Sequence, residues 1–477
     1  MPSEELTWLT AHELRDLIVT RLVSPVEVVE HFLDRIQDVD SSLHSFLTVA
    51  AELAINDARA AESVVQSGSE LGPLFGVPVS IKDLFWTRGM RTTAGSLVFK
   101  DFVPEEDSVH AERVRAAGAI IVGKTNLPEF ALFPRTINRL GPECLNPWDL
   151  SRSAGGSSGG AAASVAAGLT PIAVASDGGG SIRIPAAFCG VYGLYPSFGR
   201  VPKHGGFGGT LFFSGVGPIS RDVRDAAELL QVLAGSDPRD PSSRKDRPGD
   251  YLESLDQGVA GKRFVWVGQS GKVSDLDDRV VGRAGTAALR FRELGATLDD
   301  SPHGFDSEQW MEAFYTIMNA DRYAAIGQEL YEDPHRRGQL SEYARDHFAR
   351  SGSISGVDYS RALQKRFFVI DFFERLFGDA DFLLSPTVGT LPSSVNQNVT
   401  RKPLVANTFM VNFAGYAAAS VPCGFVDGLP VGLQIIARPN QEAALLQASR
   451  AFEVLQPWAG QRPAISDAPS AGASSEK

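Results

Sequence analysis

The chain has 477 residues, 43% hydrophobic and 21% charged, a balance that excludes an extended disordered or collagen-like protein and leaves room for a sizeable core. Its net charge of −12 comes with no basic run, which argues against nucleic acid as the main partner. Cys144, Cys189 and Cys423 are scattered without CxxC spacing, which argues against a disulfide framework or a zinc site and points to a reducing compartment.

The opening stretch MPSEELTWLTAHELRDLI carries early acids and no apolar signal core. The longest charge-free run, Ala154 to Ser176, is too small-sided and too interrupted for a membrane span. Both features predict a soluble, cytoplasmic protein. Two helices follow the start, since Thr10 to Glu13 and Ser24 to Glu27 both fit a capping box and Pro25 sits where its missing N–H costs nothing. Leu14, Leu17 and Ile18, then Val28, Phe32 and Ile36, give each helix one apolar stripe.

LFGVPVSIKDL, residues 74 to 84, predicts a short buried strand with a lysine at its end. From Glu112 to Asn126 the pattern is a helix, a glycine stop at Gly118 and a strand, AIIV. This alternation predicts an α/β fold with a mixed sheet covered by helices. The polar stretch DPRDPSSRKDRPG, 237 to 249, reads as a surface loop, because strand and helix signals resume at RFVWVG. Residues 308 to 380 read as helical and rich in aromatics. DFLLSPT from Asp381 and GLPVGLQIIA from Gly428 read as core strands, and a last helix runs from Glu442 to Leu455. The tail from Ser466 is predicted to be disordered.

GAIIVGKT, 118 to 125, satisfies the letters of the phosphate-loop pattern GxxxxGK[ST]. That pattern needs free N–H groups in a loop, whereas Ala, Ile, Ile and Val belong inside a strand that consumes them. Nucleotide binding is therefore excluded on context.

SAGGSSGGAAASVAAGLTPIAVASDGGGSIRIPAAFCG, 153 to 190, carries two glycine-serine knots around a small apolar run with no charge before Asp177. A linker would be solvated; this segment reads as buried, with glycine used for tight geometry or close approach to a ligand. A serine nucleophile needs a proton acceptor and a place for the oxyanion. Of eight histidines only His204, in KHGGFGG, is a reasonable base, and no GxSxG elbow surrounds Ser181. Lys82, in VSIKDLF, is the alternative. A lysine holds its proton to a pKa of about 10.4 in water, and burial lowers that value by penalising the ammonium.

Over nearly its whole length the chain resembles the amidase signature family. The resemblance is carried by GVPVSIKDLF (76–85), GAIIVGKTNLPEF (118–130), NPWDLSRSAGGSSGGAAASVAAG (146–168), ASDGGGSIRIPAAFCGVYGLYPSFGRV (175–201) and GLPVGLQIIA (428–437). It implies one domain over residues 1–465 with a central mixed, twisted sheet and helices on both faces. The catalytic core would fall at about 74–200, a helical substrate-binding region at about 308–380, and the tail at 466–477. It also implies a Ser-cisSer-Lys triad of base Lys82, relay Ser157 and nucleophile Ser181, with Ser158 in support and neither cofactor nor metal. The amides of Gly178, Gly179, Gly180 and Ser181 can converge on an oxyanion, and Asp177 and Arg183 can pair to hold that loop. Gly178 departs from the family pattern, which commonly has a side chain there.

Phe, Leu and Met dominate the variable loops, and Phe133, Phe207, Phe212, Phe213, Phe314 and Phe409 are candidate pocket residues. The resulting expectation is an amidohydrolase that cleaves the C–N bond of a hydrophobic aryl amide or carbamate through an acyl-enzyme on Ser181. Urethane or ester hydrolysis is the alternative. The family also includes one component of a tRNA-dependent amidotransferase, which feeds ammonia to a second active site within a complex. Leu127 and Pro128 in KTNLPEF, where that component has an acidic residue, and the acidic surface speak against it. The expected partners are a small-molecule amide or carbamate, no nucleic acid and no membrane, for a monomer or homodimer.

Overall fold

Thr10 and Ser24 each accept the N–H three residues on, from Glu13 and Glu27, whose carboxylates answer the cap N–H. The two helices they start span Ala11–Val19 and Pro25–Leu43, with Leu14, Ile18, Val28, Phe32 and Ile36 all buried. The computed structural model describes residues 3–68, 70–268, 276–301, 305–398 and 401–467. Of the predicted tail, Ser466 and Asp467 close a short 3-10 turn, Ala464–Asp467, and 468–477 lie outside the described residues.

The strands are β1 Phe46–Val49, β2 Pro78–Lys82, β3 Ile120–Thr125, β4 Leu145–Asn146, β5 Asp149–Ser153, β6 Ile172–Asp177 and β7 Tyr192–Tyr195. They continue with β8 Gly215–Ser220, β9 Arg263–Trp266, β10 Thr297–Asp300, β11 Phe382–Pro386, β12 Ala417–Val426 and β13 Leu429–Ala437. β4 and β5 form a separate hairpin. The other eleven make one sheet in the order β1-β3-β2-β6-β8-β7-β12-β13-β11-β9-β10. It is mixed: β2 runs parallel to β3 and β6, while β6 is antiparallel to β8.

Alternation along β6 shows how both faces are covered. Ile172 and Val174 pack with residues of the helices Val223–Leu233 and Glu442–Leu455. Ala173 and Ala175 join the opposite cluster with the helices Gly159–Ala166 and Arg183–Cys189. That face is built from alanines, so those two helices sit close on the sheet, and the small apolar run of the sequence is explained. The phosphate-loop lookalike is strand β3, buried at every position.

The helix read from Glu112 begins earlier, at Val109, because Ser108 caps it. β12 was not legible as a strand. Its AAASVPCGFV is alanine-rich and carries Pro422, and the ladder with β13 shifts register between Pro422 and Gly424, where a bulge accommodates the missing N–H. Residues 308 to 377 are helical as read, with a π-helical turn at Tyr323–Gly327.

Candidate active site

In parallel strands the loops beyond the carboxyl ends form the crevice where ligands bind. Lys82 is the last residue of β2, and Ser176 and Asp177 end the neighbouring β6. The Lys82 side chain is fully buried. Its Nζ donates to Ser157 Oγ at 2.8 Å, Ser158 Oγ at 2.8 Å and Ser176 Oγ at 3.0 Å. Burial first, and the nearby Arg322 guanidinium second, hold its pKa well below the ordinary lysine value, while Asp177 pulls weakly the other way.

Ser157 follows a cis peptide bond from Gly156 and precedes the helix Gly159–Ala166. A Cβ on Gly156 would stand 2.8–2.9 Å from backbone atoms of Arg135 and Pro134, so only glycine fits there. Thr136 Oγ1 donates to Gly155 O at 2.8 Å and accepts from Gly159 N at 3.1 Å, tying both ends of the first knot. Ser158 donates its hydroxyl to Ser176 O, and its N–H to Ser181 O, both at 3.1 Å. The first knot is thereby fastened to the second.

The second knot turns around Asp177. Its carboxylate accepts Gly180 N at 2.6 Å, Gly179 N at 3.2 Å and Ile182 N at 3.1 Å. It also pairs with Arg183, Nε to Oδ2 at 3.0 Å, with both side chains fully buried. Burial alone would raise the carboxyl, but Arg183 and these donors bring it down to about 2. Arg183 is held in turn by Gln434 Oε1 on β13, at 2.7 Å, and by Asn412 Oδ1. The four-amide oxyanion reading needs revision here, because Gly179 and Gly180 point their N–H groups at Asp177. The amides of Gly178 and Ser181 are not taken up by that carboxylate. A Cβ on Gly178 would meet only Ser214 Oγ, at 3.2 Å.

These groups open onto a cavity of about 660 Å³ that Ser157, Ser176, Gly178, Gly179 and Ser181 help to line. Phe133, Phe212 and Phe314 line it as expected, together with His204. Phe207, Phe213 and Phe409 do not. Phe207 packs in the core against Phe99, with ring centroids 4.6 Å apart. Phe213 and Phe409 stand behind Phe314 at 4.9 and 5.0 Å and brace it. Composition named the right loops but could not say which ring of each pair faces the void. Sequence reasoning also missed Ser176, Thr136, Asn412, Gln434, Arg322 and Arg401. Ser176 had a usable signal, since it lies just before Asp177 on a strand parallel to that of Lys82. The others come from distant segments.

The model of the amidase family matches residues 27–446, and the chain belongs to the amidase signature family. It is 37% identical to the A subunit of glutamyl-tRNA(Gln) amidotransferase from Moorella thermoacetica, over 97% of this chain and 99% of that one. Among solved structures, a bacterial aryl acylamidase superposes with a TM-score of 0.88 at 32% identity, covering 97% of this chain and 99% of that one. The same amidotransferase component from Thermotoga maritima superposes at 0.79 with 28% identity, covering 95% and 96%. These findings correct two expectations. Curated relatives at this identity are amidotransferase subunits, not stand-alone hydrolases of aryl amides or carbamates. Relatives that are subunits of a tRNA-linked enzyme also do not fit a monomer or homodimer working apart from nucleic acid. Among the described residues no helix is long and apolar enough to cross a membrane.

Proposed function

We propose that this chain cleaves a primary carboxamide by acyl transfer to Ser181, releasing ammonia, as one component of an assembly. The likeness to the amidotransferase relatives supports both the ammonia leaving group and the partner chains. Three buried cysteines, all free, agree with a reducing, cytoplasmic setting.

The observation that carries the chemistry is Lys82 Nζ, buried and 2.8 Å from Ser157 Oγ, beside a pocket onto which Ser181 opens. A neutral Lys82 takes the Ser157 proton as Ser157 takes that of Ser181, whose Oγ attacks the amide carbonyl. The amides of Gly178 and Ser181 receive the oxyanion. The protonated chain returns a proton to the departing nitrogen, and water then frees the acyl group by the same route. Ammonia release from glutamine, asparagine and simple carboxamides, with Ser181→Ala as control, tests this reading. Turnover that persists in a folded Ser181→Ala protein, or a wild type that releases no ammonia from any of them both alone and together with the chains that co-purify with it, would sink it.

A further inference from the structure

A second cavity, of about 510 Å³, is separate from the catalytic one and shares no wall residue with it. That volume is ordinary for a small-molecule site. Its walls carry Trp148, Phe425 and Trp458, two arginines and no carboxylate, in a chain with 57 acidic residues. A small void beside it shares Trp148 and Trp458, adds Trp8 and again has no acid in its wall. Three of the six tryptophans therefore stand at this one place. Gly190, which ends the helix Arg183–Cys189, lines the cavity, whereas Arg183 at the other end pairs with Asp177. One short helix thus lies between the two sites.

The rings are held in place. Trp148 Nε1 donates to Cys189 O at 2.8 Å, and Trp458 Nε1 to Arg221 O at 2.7 Å. Trp148 meets Phe425 edge to face, with ring centroids 4.9 Å apart. The two arginines differ. Arg290 is satisfied, donating to Gln456 Oε1 at 2.8 Å and pairing with Glu293 at 3.1 Å. Arg283, half-buried on the helix Asp278–Leu289, donates Nε to Cys423 O at 3.0 Å. Among the described residues neither of its Nη atoms has a hydrogen-bond partner, and no carboxylate forms an ion pair with it. The bulge in β12 makes its place: a Cβ on Gly424 would run into Nε and Nη2, and the φ of 127° there is one that glycine adopts readily.

A guanidinium with two unengaged nitrogens takes a phosphate or carboxylate in a forked geometry, and fixed aromatic walls take a flat ring. A cation finds no acid in this wall, and an uncharged ring leaves Arg283 unanswered. We propose that this cavity is a second ligand site, for a small planar anion whose ring packs against Trp148, Phe425 and Trp458 and whose phosphate or carboxylate is held by Arg283.

The test is calorimetric titration of the full chain with AMP, UMP and 2-naphthoate, beside their uncharged matches adenosine, uridine and 2-naphthol and beside inorganic phosphate. Tryptophan fluorescence follows the same titrations. At least one ringed anion should bind about 10- to 100-fold tighter than its neutral match, the worth of a charged hydrogen bond, and tighter than phosphate alone. Preference for the two nucleotides assigns a phosphate to Arg283, and preference for 2-naphthoate a carboxylate. Arg283→Met should erase the gap between anion and neutral match. Trp148→Leu should weaken the ringed anions by about 10-fold, the worth of one stacked ring, and leave phosphate unchanged. No saturable binding of any of the three anions below about 1 mM, or an affinity equal to that of the neutral match throughout, overturns the site. So does binding that either folded variant leaves unmoved, since it then belongs to another cavity. Should circular dichroism show that Arg283→Met is unfolded, Trp148→Leu decides.

Discussion

Lys82 can act as a base at neutral pH only while its ammonium is penalised. Its site supplies that penalty through complete burial and the charge of Arg322. Removed from water and set near a second cation, the ammonium loses its proton early. Activity should therefore rise with pH through the lowered pKa of Lys82 and level off below the ordinary lysine value. Lys82→Arg keeps the length and a positive charge but presents a guanidinium that holds its proton throughout. Its kcat should drop by about 10⁴-fold or more at every pH. A pH-rate profile of the variant that regained activity in alkali would refute the base role. Lys124, one strand away and equally buried, shows why the neighbourhood matters. It donates to Phe85 O, Thr87 Oγ1 and Thr92 Oγ1, with Asp83 3.9 Å away, and it does not line the pocket.

At the scale of elements, each glycine-serine knot is a junction between a sheet and a short buried helix. The first leads into Gly159–Ala166, the second from β6 into Arg183–Cys189. Gly156→Ala would drive a methyl group into the backbone of Pro134 and Arg135, which cannot swing aside as a side chain could. A loss of about 1–3 kcal/mol is expected, read as a lowered denaturant midpoint, together with lost turnover. Unchanged stability would mean that this loop yields more readily than its contacts imply. These junctions were legible in the sequence because glycine, serine and a charge-free alanine run have few other uses in one place. β2 with its terminal Lys82 was legible too, as an apolar run with a single charge at its end. The Phe213–Phe314 stack and the approach of Arg322 to Lys82 were not. Their partners lie in separate segments, and no local periodicity records which face of a loop turns inward.

The molecule as a whole is organised by one continuous sheet. β7 and β12 join its earlier half to its later half, and Arg183 beside the second knot lies over the ring of Tyr195 on β7, at 5.1 Å. Arg183, from the first half, is fastened by Asn412 and by Gln434 on β13. A chain ended after residue 400 would keep Lys82, Ser157 and Ser181 yet leave the buried Arg183–Asp177 pair without two of its partners. Such a fragment, purified and assayed beside the full chain, should show no amide turnover and a broad, non-cooperative melt; measurable turnover would show that the loops hold their shape unaided. Gln434 has a further consequence in the cell. A ribosome must have added residue 434 before that last support for Arg183 exists. Lys82, Ser157 and Ser181 thus all leave the ribosome before the residue that completes the hold on Arg183 has been added.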